Sequence, residues 1–149
     1  MSVFVDTNVL VYARDASEPE KQPVAMNWLD ALWEAREGRL SVQVLQEFYV
    51  TVTAKLDPGL PAGQARADVR RLQVWDPLSV DASLLEDSWQ IQDRYSFSLW
   101  DAAIVAAARR LGCRYLLTED LQAGQDLDGM LVLDPFGTRP EEVVGDGSA

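Results

Sequence analysis

The sequence predicts an α/β fold, a mostly parallel sheet covered by helices on both faces. Two observations predict it. Short β-branched or apolar runs alternate with amphipathic helical segments along the chain, and that alternation marks parallel strands joined by helical crossovers. Acidic residues also follow two of the strand runs directly, at Asp6 and at Glu119 and Asp120. In parallel sheets ligands gather outside the carboxyl ends of the strands, so this edge is where chemistry is expected.

The elements follow in order. SVFVD, residues 2–6, reads as a buried strand. TNVLVYARD begins a short helix or turn, with Thr7 or Asn8 as its cap. EPEKQPVAMNWLDALWEAREG is helical, because Trp28, Leu29, Leu32 and Trp33 recur at helical spacing, and Gly38 supplies its stop. Pro23 delays or kinks the start of that helix. RLSVQ is a candidate second strand, and VLQEFYVTVTAKL reads as a helix after it. DPGLP is a break. AGQARADVRRLQV and DASLLEDSWQIQDRY are two further helices, the second capped by Asp81. SLWDAAIVAAARRLG, residues 98–112, is an apolar helix that ends on two arginines and a glycine, which suit the negative dipole end and a left-handed stop. RYLLT is a short strand, EDLQAGQDLDG a polar loop and MLVLDPF a last strand. Residues 1–136 form one domain, and the Gly-rich acidic tail 137–149 is expected to be partly disordered.

Composition removes whole classes of function. The 149 residues contain no histidine, which excludes a Ser-His-Asp triad, a Cys-His pair and an imidazole base. The single cysteine, Cys113, forms no disulfide within the chain and reads as an inert core residue. That count fits a cytoplasmic protein. No apolar run reaches the roughly 20 residues of a membrane span. The N-terminus lacks the basic start of a signal peptide. The net charge of −11 argues against broad nucleic-acid affinity and for a cationic partner, whether metal ions or a basic protein. Carboxylates are then the catalytic agents to expect, and their oxygens suit Mg²⁺, Mn²⁺ or Ca²⁺.

Acidic residues stand out at four places in the chain. Asp6 ends the first strand and Glu119 and Asp120 follow a later one. Glu47 lies in a helix whose only other charge is Lys55, and Asp101 opens the apolar helix 98–112. Taken singly, each has an ordinary reading: a turn or cap for Asp6, a solvated charge for Glu47, a first-turn acid for Asp101 and loop polarity for Glu119 and Asp120. A shared site explains them together. Clustered carboxylates repel one another, a divalent cation reverses that balance, and the bound cation can activate water against a phosphodiester.

VFVDTNVLVYA, QVLQEFYV, SLWDAAIVAAARRLGCRYLLTEDL and LVLDPF, in this order, resemble the PIN-domain nucleases. The nearest branch is the VapC-like ribonuclease toxins of type II toxin–antitoxin pairs. The resemblance spans residues 3 to about 136. It implies a three-layer α/β/α sandwich, Mg²⁺- or Mn²⁺-dependent cleavage of RNA, a homodimer and a cognate antitoxin that blocks the site. Carried over, the metal-binding and catalytic acids are Asp6, Glu47, Asp101 and Asp120, with Thr7, Asn8, Thr118 and Glu119 around them. The family usually reads TND where this chain reads TED, and Asp120, rather than Glu119, is taken as the main fourth acid. Arg66, Arg70 and Arg71 are candidates for RNA phosphates. The alternatives are a PIN fold that only binds a partner, a nuclease acting on DNA, and a phosphoryl-accepting receiver domain. The receiver reading is disfavoured because no lysine follows residue 55.

Overall fold

The computed structural model describes residues 2–145. Strands β1 (Val3–Val5), β2 (Gly38–Arg39), β3 (Tyr115–Leu117), β4 (Asp126–Leu127) and β5 (Met130–Leu133) form one sheet in the order β2-β1-β3-β5-β4. All neighbours are parallel except β4, which pairs antiparallel with β5. Helices α1 (Thr7–Tyr12), α2 (Lys21–Ala35), α3 (Val42–Val50), α4 (Ala62–Leu72), α5 (Ala82–Tyr95) and α6 (Leu99–Arg110) flank the sheet. The core runs from Val3, Phe4 and Val5 through Leu116 and Leu117 to Val105 and Ala107, all at most 1% exposed. A strand buried on both faces needs an unbroken apolar run rather than an alternating one, and VFV and YLL supply it.

Several local expectations change. The cap of α1 is neither Thr7 nor Asn8 but Asp6, whose Oδ1 accepts the Thr7 N–H at 2.7 Å. The stop of α2 is Arg36, left-handed at φ 58°, not Gly38. Gly38 instead opens β2 beneath the Trp75 indole, where a Cβ would stand 2.4 Å from the ring. Pro23 sits in the first turn of α2, which tolerates a missing N–H. The second strand is shorter than RLSVQ, because the Ser41 hydroxyl already caps α3. The helix after it holds, and ends in a wider π-type turn, Thr51–Lys55. The loop EDLQAGQDLDG hides β4, joined to β5 by Asp128 and Gly129, both at positive φ. Asp-Gly is the favoured pair for such a tight hairpin, so the signal was present. After residue 136 the chain stays packed: Pro140 is buried in a short 3₁₀ turn, Pro140–Glu142, that contacts α2. Residues 146–149 of the expected disordered tail lie outside the described residues.

Candidate metal centre

The carboxyl edge of the sheet builds the site. Val5 and Leu117 are register partners on adjacent strands, so the next residues, Asp6 and Thr118, emerge side by side. The Asp6 N–H donates to the Leu117 carbonyl at 3.0 Å and the Thr118 N–H to that of Leu133 at 3.0 Å. Both side chains are buried. The Thr118 hydroxyl donates to Asp6 Oδ2 at 2.8 Å. Asn8, in the first turn of α1, binds the two strand ends together. Its amide nitrogen donates to Thr118 Oγ1 and to Asp120 Oδ2, each at 3.1 Å, and more weakly to Asp6 Oδ2 at 3.4 Å. Its oxygen accepts the Glu119 N–H at 3.2 Å.

Two helices bring the other acids. Glu47 sits on α3, where Gln43, one turn earlier, donates to its Oε1 at 3.0 Å and to the Trp100 carbonyl at 3.3 Å. Asp101 lies in the first turn of α6, and the Ser98 hydroxyl caps that turn by accepting the Asp101 N–H at 3.1 Å. The dipole of α6 favours the acid there.

The acids act on one another. Burial pushes the Asp6 carboxyl up to about 7; the Thr118 hydroxyl and the Thr7 N–H oppose this, and the charges of Asp120 and Glu47 add to it. Burial raises Glu47 as well, with Gln43 opposing and Asp101 and Asp120 adding. Asp101 is raised by burial and then by Asp120. Asp120 is thus a close negative neighbour of all three other acids. Glu119 points elsewhere. Burial alone would push its carboxyl up, but Lys21 and Tyr12 hydrogen-bond its carboxylate and hold it below the ordinary range.

The donor set fits a divalent cation. It is all oxygen, as Mg²⁺ and Mn²⁺ prefer, and three of its carboxylates are destabilised as anions without a positive charge nearby. The Thr7 hydroxyl is fully buried without a hydrogen-bond partner. It faces Glu47 and favours that carboxylate's ionised form. A water held by a cation would satisfy it. Among the described residues no three acidic side chains yet close into a coordination cluster. Mg²⁺ does not require one, since it keeps several waters and takes one or two carboxylates directly.

Residues 3–125 match the PIN domain. The chain belongs to the PIN-domain family. That family comprises nucleases, which generally use divalent metals. Among solved structures the PIN fold here superposes on the Mycobacterium tuberculosis toxin VapC20, described as cleaving the sarcin-ricin loop, with a TM-score of 0.60 and 26% identity over 77% of this chain and 87% of that one. A toxin–antitoxin complex from Klebsiella pneumoniae shares the fold with a TM-score of 0.59 and 20% identity over 91% of this chain and 98% of that one. A search of curated protein sequences finds no match.

The three candidate arginines part company. Arg71 pairs with Asp68 at 2.8 Å, and Arg14 grips the same carboxylate. Arg66 and Arg70 instead line a groove between α3 and α4 with Tyr49 and Val50. Arg66 hydrogen-bonds the Tyr49 hydroxyl at 3.1 Å and lies over its ring. Val42, Leu45, Gln46 and Tyr49 line this groove and Glu47 does not, so it runs along a different face of α3 from the one that carries Glu47. Gln43, Lys21 and Tyr12 are the neighbours of the site that sequence reasoning passed over. Gln43 stands four residues before Glu47 in a helix, a spacing that brings side chains together. Lys21 and Tyr12 carry no comparable signal.

Proposed function

We propose that this PIN domain is a metal-dependent endoribonuclease that hydrolyses RNA phosphodiester bonds and serves as the toxin of a toxin–antitoxin pair. The observation that supports the reading is that Asn8 bonds both Asp6 and Asp120 at the carboxyl edge of the sheet, and that the charges of these acids act on one another and on Glu47 and Asp101. These four residues would hold one or two Mg²⁺ or Mn²⁺ ions. When bound, the metal supplies Lewis acidity toward the phosphodiester and water activation at neutral pH.

The remaining tasks fall to the chain itself. Thr118 and the Thr7 N–H fix the Asp6 carboxylate, Asn8 ties Asp120 to that same centre, and Gln43 aims Glu47. Arg66 and Arg70, which line the groove between α3 and α4, would meet RNA phosphates in this reading, whereas Arg71 is engaged with Asp68. With a net charge of −11, the protein must draw RNA by such local patches and by the metal rather than by its overall field. The likeness to a toxin solved with its antitoxin supports an antitoxin partner. A homodimer belongs to the same reading. Leu85 and Trp89, one turn apart on α5, offer it exposed apolar surface. Among the described residues no helix is long and apolar enough to cross a membrane.

The test is cleavage of a panel of structured RNAs by the full chain with Mg²⁺ or Mn²⁺, followed by EDTA. Discrete cuts that need the metal are expected. Full activity in excess EDTA, or intact RNA throughout, would overturn the proposal.

A further inference from the structure

Asp120 is joined to Asp6 through the Asn8 amide, and its charge acts on Asp6, Glu47 and Asp101, yet it is carried by the least regular element. Glu47 and Asp101 ride on helices, and Asp6 is locked between a strand and a helix start. Asp120 lies on the turn after β3, with no helix or strand of its own. Repulsion from three carboxylates pushes such a side chain outward. Something must hold the turn.

The restraint sits one residue earlier. Lys21, the first residue of α2, donates to Glu119 Oε2 at 2.7 Å, and the Tyr12 hydroxyl donates to Glu119 Oε1. Lys21 also donates to the Tyr12 oxygen at 3.2 Å. Its ammonium lies 4.8 Å from the centre of the Tyr12 ring and 5.1 Å from that of Phe136, and those two rings meet edge to face. Two aromatic rings and two oxygens engage the ammonium of a side chain that is itself 37% exposed. The Glu119 N–H donates to Asn8, whose amide holds Asp120. The clamp on Glu119 and the grip on Asp120 therefore act on one three-residue turn.

We propose that Lys21 is a positioning residue: by clamping Glu119 against Tyr12 it fixes the turn after β3 and keeps Asp120 facing Asp6, Glu47 and Asp101. This rests on the reading of those acids as a metal site.

Metal affinity separates this role from a simple charge effect, because the two have opposite signs. A lysine that acted only as a nearby positive charge would repel a cation, and removing it would tighten metal binding. Removing a positioning residue weakens binding, typically by about 10-fold or more for groups that orient ligands. The experiment is Mn²⁺ titration of the full chain, read as loss of the free-ion EPR signal, for the wild type, Lys21→Met, Lys21→Arg and Tyr12→Phe. The expected result is a dissociation constant raised about 10-fold in Lys21→Met, raised less in Tyr12→Phe, and largely restored in Lys21→Arg. Unchanged or tighter Mn²⁺ binding in a folded Lys21→Met would overturn the clamp. Should that variant fail to fold, Tyr12→Phe carries the same test, and wild-type affinity there would overturn it. A wild type that binds no Mn²⁺ would instead overturn the metal site itself.

Discussion

The acidic cluster is assembled from two unlike halves. Glu47 and Asp101 are carried by α3 and α6, whose backbones hydrogen-bond internally and whose inner faces are packed against the core. Each needs little further support: Glu47 has Gln43, and Asp101 has the Ser98 cap on its turn. Asp6 and Asp120 come from strand ends and a turn, and they share a network of Thr7, Asn8, Thr118 and Glu119. A helix aims a side chain through its own geometry, whereas a strand end must be tied to its neighbours. The helical half is therefore expected to tolerate loss of its supports, and the strand-end half to fail when one tie is cut.

The largest effect removes an acid from either half. Asp101→Asn keeps the shape of the side chain and the Ser98 cap, and should lower kcat/KM for RNA by about 10²–10³-fold with an unchanged circular dichroism spectrum. Asp6→Asn should abolish cleavage as well. Its amide would face the Asn8 amide, so it is expected to cost stability that Asp101→Asn does not. Equal stability in the two variants would remove the contrast between the halves.

Cutting supports gives the next effect. Asn8→Ala deletes the residue that joins Asp6, Thr118 and Asp120, and should weaken Mn²⁺ binding about 10–100-fold. Gln43→Ala deletes the hydrogen bond to Glu47 and should change it by less than about 10-fold, because α3 still aims the carboxylate. Isothermal titration of both variants checks the order, and a larger loss in Gln43→Ala would reverse the account of which half is fragile.

The smallest effect is in stability against pH. Asp6, Glu47 and Asp101 all bind protons more tightly in the folded chain than their ordinary values would give, Asp6 up to about 7. A carboxyl raised on folding favours the folded state below its unfolded value and loses that contribution as pH rises through the folded one. Metal-free protein should therefore lose stability between about pH 4 and pH 7. Glu119 and Asp81 are shifted down and act oppositely, but only as pH falls below their ordinary range. Mg²⁺ should flatten the decline, most visibly at pH 8. Each kcal/mol corresponds to about 2–4 °C in Tm for a chain of this size, so differential scanning calorimetry resolves the trend. A flat metal-free profile would show that neither burial nor their neighbours raise these acids.

The same two halves differ in how plainly the sequence announced them. An acid in an otherwise apolar helix is conspicuous, so Glu47 and Asp101 stood out from their neighbours alone. Asp6 was visible as the residue after a β-branched run, although its second task as the cap of α1 was not. Glu119 and Asp120 could not be separated by local pattern, since both follow the same strand. What divides them is Lys21 and Tyr12, about a hundred residues earlier in the chain, which draw Glu119 away. Tertiary contacts also explain Gly38, where the Trp75 indole rather than a helix stop requires glycine. The strand order, with β3 central between β1 and β5, likewise follows from packing that no single segment encodes.

The central claim is that Asp6, Glu47, Asp101 and Asp120 enclose one divalent-cation site. A crystal structure of the full chain grown with Mn²⁺, with anomalous scattering recorded at the manganese edge, tests it directly. The expected result is an anomalous peak among these four carboxylates that disappears in Asp101→Asn. A map with no peak there at saturating Mn²⁺, or with manganese bound only to other surface acids such as Asp81 and Asp87, would contradict it.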